Sequence, residues 1–110
     1  MNTIYKYEMP VTNYFEIELP KNARILRAGS QRYGNVFWAL VDTEKPTEIR
    51  KFWRVGTGYK MNNVGNVIAY IDTWQNRDLV WHLFEVIRSP YVWEERKWVI
   101  QKDIIIKNTK

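Results

Sequence analysis

Cysteine is absent and histidine occurs once, as His82. Without a thiol there is no disulfide framework and no thiolate metal site. With one imidazole there is no histidine pair and no HExxH segment, so a first-row metal has no ligand set. No apolar run approaches the roughly 18 residues that a membrane helix needs. Met1 to Lys6 has no apolar signal core. These absences predict a protein of the cell interior with no membrane partner. A nucleophile–base–orienter triad would have to use His82. It stands between Trp81 and Leu83 in the strongest apolar stretch, and Glu85, three residues on, faces away from it on a regular strand. His82 therefore reads as a hydrogen-bonded, partly buried histidine. The chain reads as no enzyme, with no metal and no cofactor.

What is present is aromatic and basic. The 110 residues include six Trp and seven Tyr, with 45% hydrophobic and 26% charged residues. That is the profile of one globular domain able to bury its own core. The net charge of +5 is unevenly placed. Arg24 to Lys60 carries eight basic residues against three acidic, and Arg88 to Lys110 carries six against three. A field concentrated in this way favours an anionic partner: a nucleotide, a nucleic acid or an acidic protein face.

Strand signals dominate. Phe15-Glu16-Ile17-Glu18-Leu19 alternates as a half-buried strand does, and Pro20-Lys21-Asn22 closes it. Ile4 to Met9 alternates similarly. Ile25-Leu26 is a shorter candidate before a loop from Gly29 to Asn35. Val36 to Val41 is continuously apolar and reads as a central strand buried on both faces. In Ile49 to Val55, Arg50, Phe52 and Arg54 point one way and Lys51, Trp53 and Val55 the other. Gly56-Thr57-Gly58 breaks this strand, and a polar loop passes through Asn62, Asn63, Gly65 and Asn66. Val67 to Ile71 is a strand, Trp74 to Asp78 a hairpin-like connection, and Leu79 to Ile87 a long strand ended by Ser89-Pro90. Trp93 to Gln101 reads as either a short helix or part of an extra hairpin. The expected fold is mostly β: a small antiparallel sandwich or barrel of about seven strands. The expected domain is 1–87, with a basic, aromatic extension at 88–110 packed on it. A symmetric homo-oligomer would cover exposed sheet edges.

Several landmarks occur in a distinctive order: Lys6-Tyr7-Glu8, Ile17-Glu18-Leu19-Pro20 followed by Ala23, Trp38-Ala39-Leu40-Val41-Asp42, Gly56-Thr57-Gly58, Tyr70-Ile71 with Thr73 and Gln75, and Val80-Trp81-His82-Leu83-Phe84-Glu85-Val86. On these, Lys6 to Val86 resembles a family of small phage-encoded proteins, a domain of unknown function. The resemblance implies a phage or prophage origin, and with it the cytoplasm of an infected bacterial host, a setting in which small accessory proteins often act against host machinery or host defence. It implies no activity and no binding residues. Family members end soon after the position of Val86, so the Arg88 to Lys110 tail is a departure.

Two other constellations stand in the sequence. Glu16 and Glu18 share a strand face at roughly 6–7 Å, a spacing open to carboxylate chemistry, but the simpler reading is a solvated face. Gly56-Thr57-Gly58 follows a basic strand and could offer backbone donors to a phosphate; it matches neither the P-loop nor the dinucleotide fingerprint. The strongest signal is arginine among aromatics. Arginine forks grip phosphate and flat rings stack on bases. The expected site is an anionic, nucleotide-type pocket in which Arg24, Arg27, Arg50 and Arg54 neutralise phosphates. Trp53 and Tyr59 stack, and Gly56, Thr57 and Gly58 donate from the backbone. The rival expectations are an inhibitor that covers an acidic face of a host enzyme, with Trp93 and Trp98 as anchors, and a non-specific nucleic-acid-binding module.

Overall fold

The computed structural model describes residues 1–32, 34–61, 67–88, 91–94, 97–100 and 105–108, and every regular element among them is a strand. In chain order these are β1 (Asn2–Glu8), β2 (Tyr14–Pro20), β3 (Arg24–Gln31), β4 (Gly34–Asp42), β5 (Thr47–Gly56), β6 (Val67–Asn76), β7 (Leu79–Arg88), β8 (Tyr91–Glu94), β9 (Lys97–Ile100) and β10 (Ile105–Asn108). The first seven form an antiparallel sandwich. One sheet has the order β1-β4-β3 and the other β10-β6-β7-β5-β2, while β8 and β9 pair as a hairpin. The tail joins the body through β10, which runs parallel to β6.

Period-2 patterning decides what faces inward. On β2, Phe15 and Leu19 are buried while Glu16 and Glu18 are exposed, the solvated-face arrangement. Four rings cross the interior from one sheet to the other. Tyr7 stacks on Phe37 at 5.2 Å, Phe37 meets Phe52 at 5.1 Å, and Phe52 stacks on Phe15 at 5.4 Å. Around this ladder lie Leu19, Ala28, Ala39, Val41, Ile71, Trp74 and Leu83. Burial of each large apolar side chain stabilises the fold by about 1.5–3 kcal/mol. The five-stranded sheet is apolar on its outer face as well. There Trp53, Val55, Ile68 and Phe84 form a second cluster, with Met61, Tyr70 and Val86 against it.

Of the three register shifts in the ladders, two adjust the facing of the sandwich interior. In β3, Ile25 pairs with Ala39 and Arg27 with Trp38, so Leu26 is the extra residue. Ile25 and Ala28 thus both pack on the core, and Arg27 turns outward. In β6 the extra residue is Ile71, between the pairs Tyr70–Phe84 and Asp72–Leu83. This bulge lets Asp72 Oδ2 accept from the Ala28 N–H at 3.0 Å and tie the two sheets at their β3–β6 corner.

Three expectations are corrected and one open alternative is decided. The segment Gly29 to Asn35 is not a loop: β3 runs to Gln31 and β4 begins at Gly34, with Arg32 at φ 56° in the tight connection. The short candidate at Ile25-Leu26 is an eight-residue strand whose alternation the bulge conceals. Of the two readings offered for Trp93 to Gln101, the hairpin is the one found, because Trp93 and Trp98 pair across β8 and β9. The turn after β6 is confined to Arg77-Asp78, so Trp74 to Asn76 belongs to the strand. Val36 to Val41 does occupy the middle of its sheet, but its outer face is only partly covered, and Leu40 keeps 37% of its surface. Tyr33, the Asn62–Asn66 loop and Ser89-Pro90 lie outside the described residues. No helix among the described residues is long and apolar enough to cross a membrane.

Candidate functional site

β5 carries four of the expected ligand residues, and alternation sends them to opposite faces. Arg50 and Arg54 flank Phe52 on the inner face, and Trp53 lies on the outer one. Arg50 is committed to the fold. Its Nε and Nη2 bind both oxygens of Glu85, at 2.6 and 2.7 Å, and Nη1 donates to the Ala23 carbonyl. The Glu85 carboxylate raises the guanidinium pKa above its ordinary value. Arg54 is buried with its guanidinium over the ring of Trp81, 4.8 Å from the centroid. Trp53 is 2% exposed, edge-on to Tyr59 at 6.5 Å, so it has no free face on which a base could stack. The expected Arg54–Trp53 pairing is therefore divided by the sheet itself.

Gly56 closes β5, and Thr57-Gly58 turns the chain, with Gly58 at φ 89°. The Thr57 and Tyr59 N–H groups donate to Val80 and Gly56 carbonyls, at 3.0 and 3.1 Å, so one of the three expected backbone donors, Thr57, serves the turn. Thr57 also begins a side-chain chain. Its Oγ1 is 2.8 Å from His82 Nε2, His82 Nδ1 is 3.0 Å from Thr73 Oγ1, and Thr73 Oγ1 is 2.8 Å from Tyr70 Oη. Both imidazole nitrogens are thus met by hydroxyls. Glu85 faces the other side of the sheet with Arg50, as strand geometry requires. This is the half-buried, hydrogen-bonded histidine expected from the sequence.

Arg24 and Arg27 belong to the other sheet. The outer face of β1-β4-β3 places Ile4 and Lys6 on β1, Val36, Trp38 and Leu40 on β4, and Arg24, Arg27 and Gly29 on β3 in cross-strand register. Trp38 stands between Lys6 and Arg27, its direct partners on either side. The ring is half-buried, and Gly29 leaves space beside it: a Cβ there would come within 3.6 Å of the indole. An open cleft of about 740 Å³ lies along this ring, lined among others by Arg27, Gly29, Ser30, Trp38 and Gln75. Its size suits a nucleotide-sized ligand. Arg24 lines a separate hollow with Ala23 and Arg50.

The structure thus brings Arg27 beside an aromatic ring that sequence reasoning assigned to the interior, and separates it from Arg50, Arg54, Trp53 and Tyr59. Trp38 was missed because both faces of β4 are apolar. Val36, Trp38 and Leu40 alternate with Phe37, Ala39 and Val41, so periodicity could not tell the solvent side from the core side. The β3 bulge was the second concealed element, since unbroken alternation from Ile25 would turn Arg27 inward. The side chains of Trp93 and Trp98, offered as anchors, lie outside what the structure describes.

No curated protein and no solved structure matches the chain. A family model does, over residues 1–93, and so extends past both ends of the Lys6 to Val86 resemblance; β9 and β10 lie beyond it. The chain belongs to the family described as Domain of unknown function (DUF7352).

Proposed function

We propose that this chain is a binding protein for an anionic, base-bearing ligand of the nucleotide type, held without chemistry on the outer face of the β1-β4-β3 sheet. The observation that carries the reading is the cross-strand pairing of Arg27 with Trp38 beside the 740 Å³ cleft. An arginine fork takes the phosphate and the half-exposed indole takes the base, while Ser30 and Gln75 offer polar groups along the cleft. Lys6 adds charge from the other side of the ring, although its Nζ also donates to Gln31 Oε1 at 2.6 Å. The setting suggested by the family resemblance is an accessory phage protein that sequesters a host signal in the infected cell's cytoplasm.

Thermal unfolding against mono-, di- and cyclic nucleotides and short single strands tests the reading. A ligand at about a hundred times its dissociation constant adds about 2.7 kcal/mol to stability. A selective shift that Arg27→Ala and Trp38→Ala both abolish is the expected outcome. A shift only with single strands, falling steeply with salt, points to the nucleic-acid-binding alternative. A second reading, a contact with the acidic face of a host protein, is favoured by the exposure of Ile4 (57%), Leu26 and Leu40 around Trp38. It predicts no shift with any nucleotide.

A further inference from the structure

A second cleft, of about 650 Å³, opens at the end of the sandwich. Here the β1–β2 connection, the start of β4 and the β6–β7 hairpin converge on the end of β5. Asn13, Asn35, Asn76, Arg77 and Trp81 line it, together with Arg54. Arg54 is 5% exposed. Its Nη2 donates to the Thr12 carbonyl at a long 3.3 Å, and its buried Nε has no hydrogen-bond partner among the described residues. Among the described residues its charge has no carboxylate: the ion pairs are those of the Met1 amine with Asp42 and Glu44, and of Arg50 with Glu85. Arg50, on the same strand face and also partly buried, has a two-point carboxylate partner. Arg54 has an indole face, one carbonyl and burial that pushes its pKa down.

An arginine remains charged inside a protein, and buried charges are paired. The Trp81 face recovers part of the lost hydration through cation–π attraction, but one carbonyl bond and an indole do not neutralise a cation. The missing counterpart is an anion, and the cleft beside Arg54 has room and polar amides for one. We infer that this cleft is an oxyanion site, in which Arg54, stacked on Trp81, holds a phosphate or carboxylate group against the Asn13, Asn35 and Asn76 side of the sandwich. The inference does not depend on the ligand proposed for the Trp38 face, because the two clefts share no residue.

The test is thermal unfolding of the full chain in phosphate-free buffer and then with inorganic phosphate, acetate or a nucleoside monophosphate, at ionic strength matched with chloride. Phosphate or acetate is expected to raise Tm by a few degrees in the wild type and in Trp38→Ala, and not in Arg54→Met. Without any oxyanion, Arg54→Met should be at least as stable as the wild type, because an apolar isostere removes an uncompensated buried charge. A response to the nucleoside monophosphate alone, lost in Arg54→Met, identifies the bound group as the phosphate end of a larger ligand. Equal shifts in wild type and Arg54→Met, or no shift with any of the three, overturn the site. Should Arg54→Met not fold, the wild type still decides: a titration must move the Arg54 Nε–H and Trp81 Nε1–H resonances to saturation, and unmoved resonances sink the inference.

Discussion

Arg50 and Glu85 form a two-point ion pair on the inner face of the five-stranded sheet, Nε to Oε2 at 2.6 Å and Nη2 to Oε1 at 2.7 Å. The pair joins β5 to β7, and the third arginine donor reaches the Ala23 carbonyl. With side-chain exposures of 16% and 19%, each partner is costly to leave alone. Arg50→Ala is therefore expected to destabilise the domain by roughly 3 kcal/mol, the low end for breaking a buried pair. A double Arg50→Leu/Glu85→Leu variant should recover much of that loss. Denaturant midpoints read both values. An Arg50→Ala protein that keeps its stability and loses nucleotide binding would return Arg50 to the ligand.

Trp53 and Trp38 separate core from platform. Trp53 is sealed in the second cluster against Val55, Ile68 and Phe84. Trp53→Ala should cost about 4 kcal/mol through transfer and cavity terms. Trp38 is only half-buried, so Trp38→Ala should cost roughly 1–2 kcal/mol. Binding should respond in the opposite order. Loss of a stacking ring weakens a base contact by about 1–3 kcal/mol, so calorimetric affinity should fall by about 5- to 150-fold in Trp38→Ala, a variant that stays more stable than Trp53→Ala. Unchanged affinity in that variant would refute the Trp38 platform.

The two ends of the glycine turn should differ. Gly58 sits at φ 89° with open space around it, so Gly58→Ala meets only backbone strain, worth about 1 kcal/mol. Gly56 has an ordinary strand conformation, and an added Cβ would meet the Trp81 ring at 3.7 Å, a normal contact. Gly56→Ala should thus be neutral or slightly stabilising by chemical denaturation. The reverse ranking would show that the loop is held by something other than its left-handed residue.

The sandwich was legible where one face is polar. Phe15-Glu16-Ile17-Glu18-Leu19 declares both its strand and its buried side, and β5 declares the opposite facing of Phe52 and Trp53. Legibility ended where a strand is apolar on both sides or where alternation is interrupted. β4 hid Trp38 for the first reason, and β3 hid Arg27 for the second. The expected site failed to converge for a related cause. Nearness of Arg54 to Trp53 in the chain is, on a strand, opposition across the sheet. Whether an arginine is free is also a long-range property: Arg50 meets Glu85 35 residues away, and only the fold reveals that Arg54 meets no carboxylate among the described residues.

Alkaline titration probes the ring ladder directly. Burial raises the phenol pKa of Tyr7 above 10.0, with the neighbouring Tyr5 phenolate adding to the effect. Burial also raises that of Tyr14, assisted by its hydrogen bond to Glu16 at 3.1 Å. A phenol whose pKa is raised on folding keeps its proton longer in the folded chain than in the unfolded one. Its contribution to stability is present in full below the unfolded pKa near 10 and is lost as pH climbs through the folded value. The domain should therefore lose stability above about pH 10. The phenolate absorbance of Tyr7 and Tyr14 should form a late step, rising only above the ordinary phenol pKa near 10. Tyr7→Phe and Tyr14→Phe should each remove a share of the late step and flatten the alkaline decline. The Tyr7 ring still stacks on Phe37 without its hydroxyl, so Tyr7→Phe should fold normally at neutral pH. If the late step persists in the double variant, other phenols carry it and the packing of Tyr7 against the ladder is wrong.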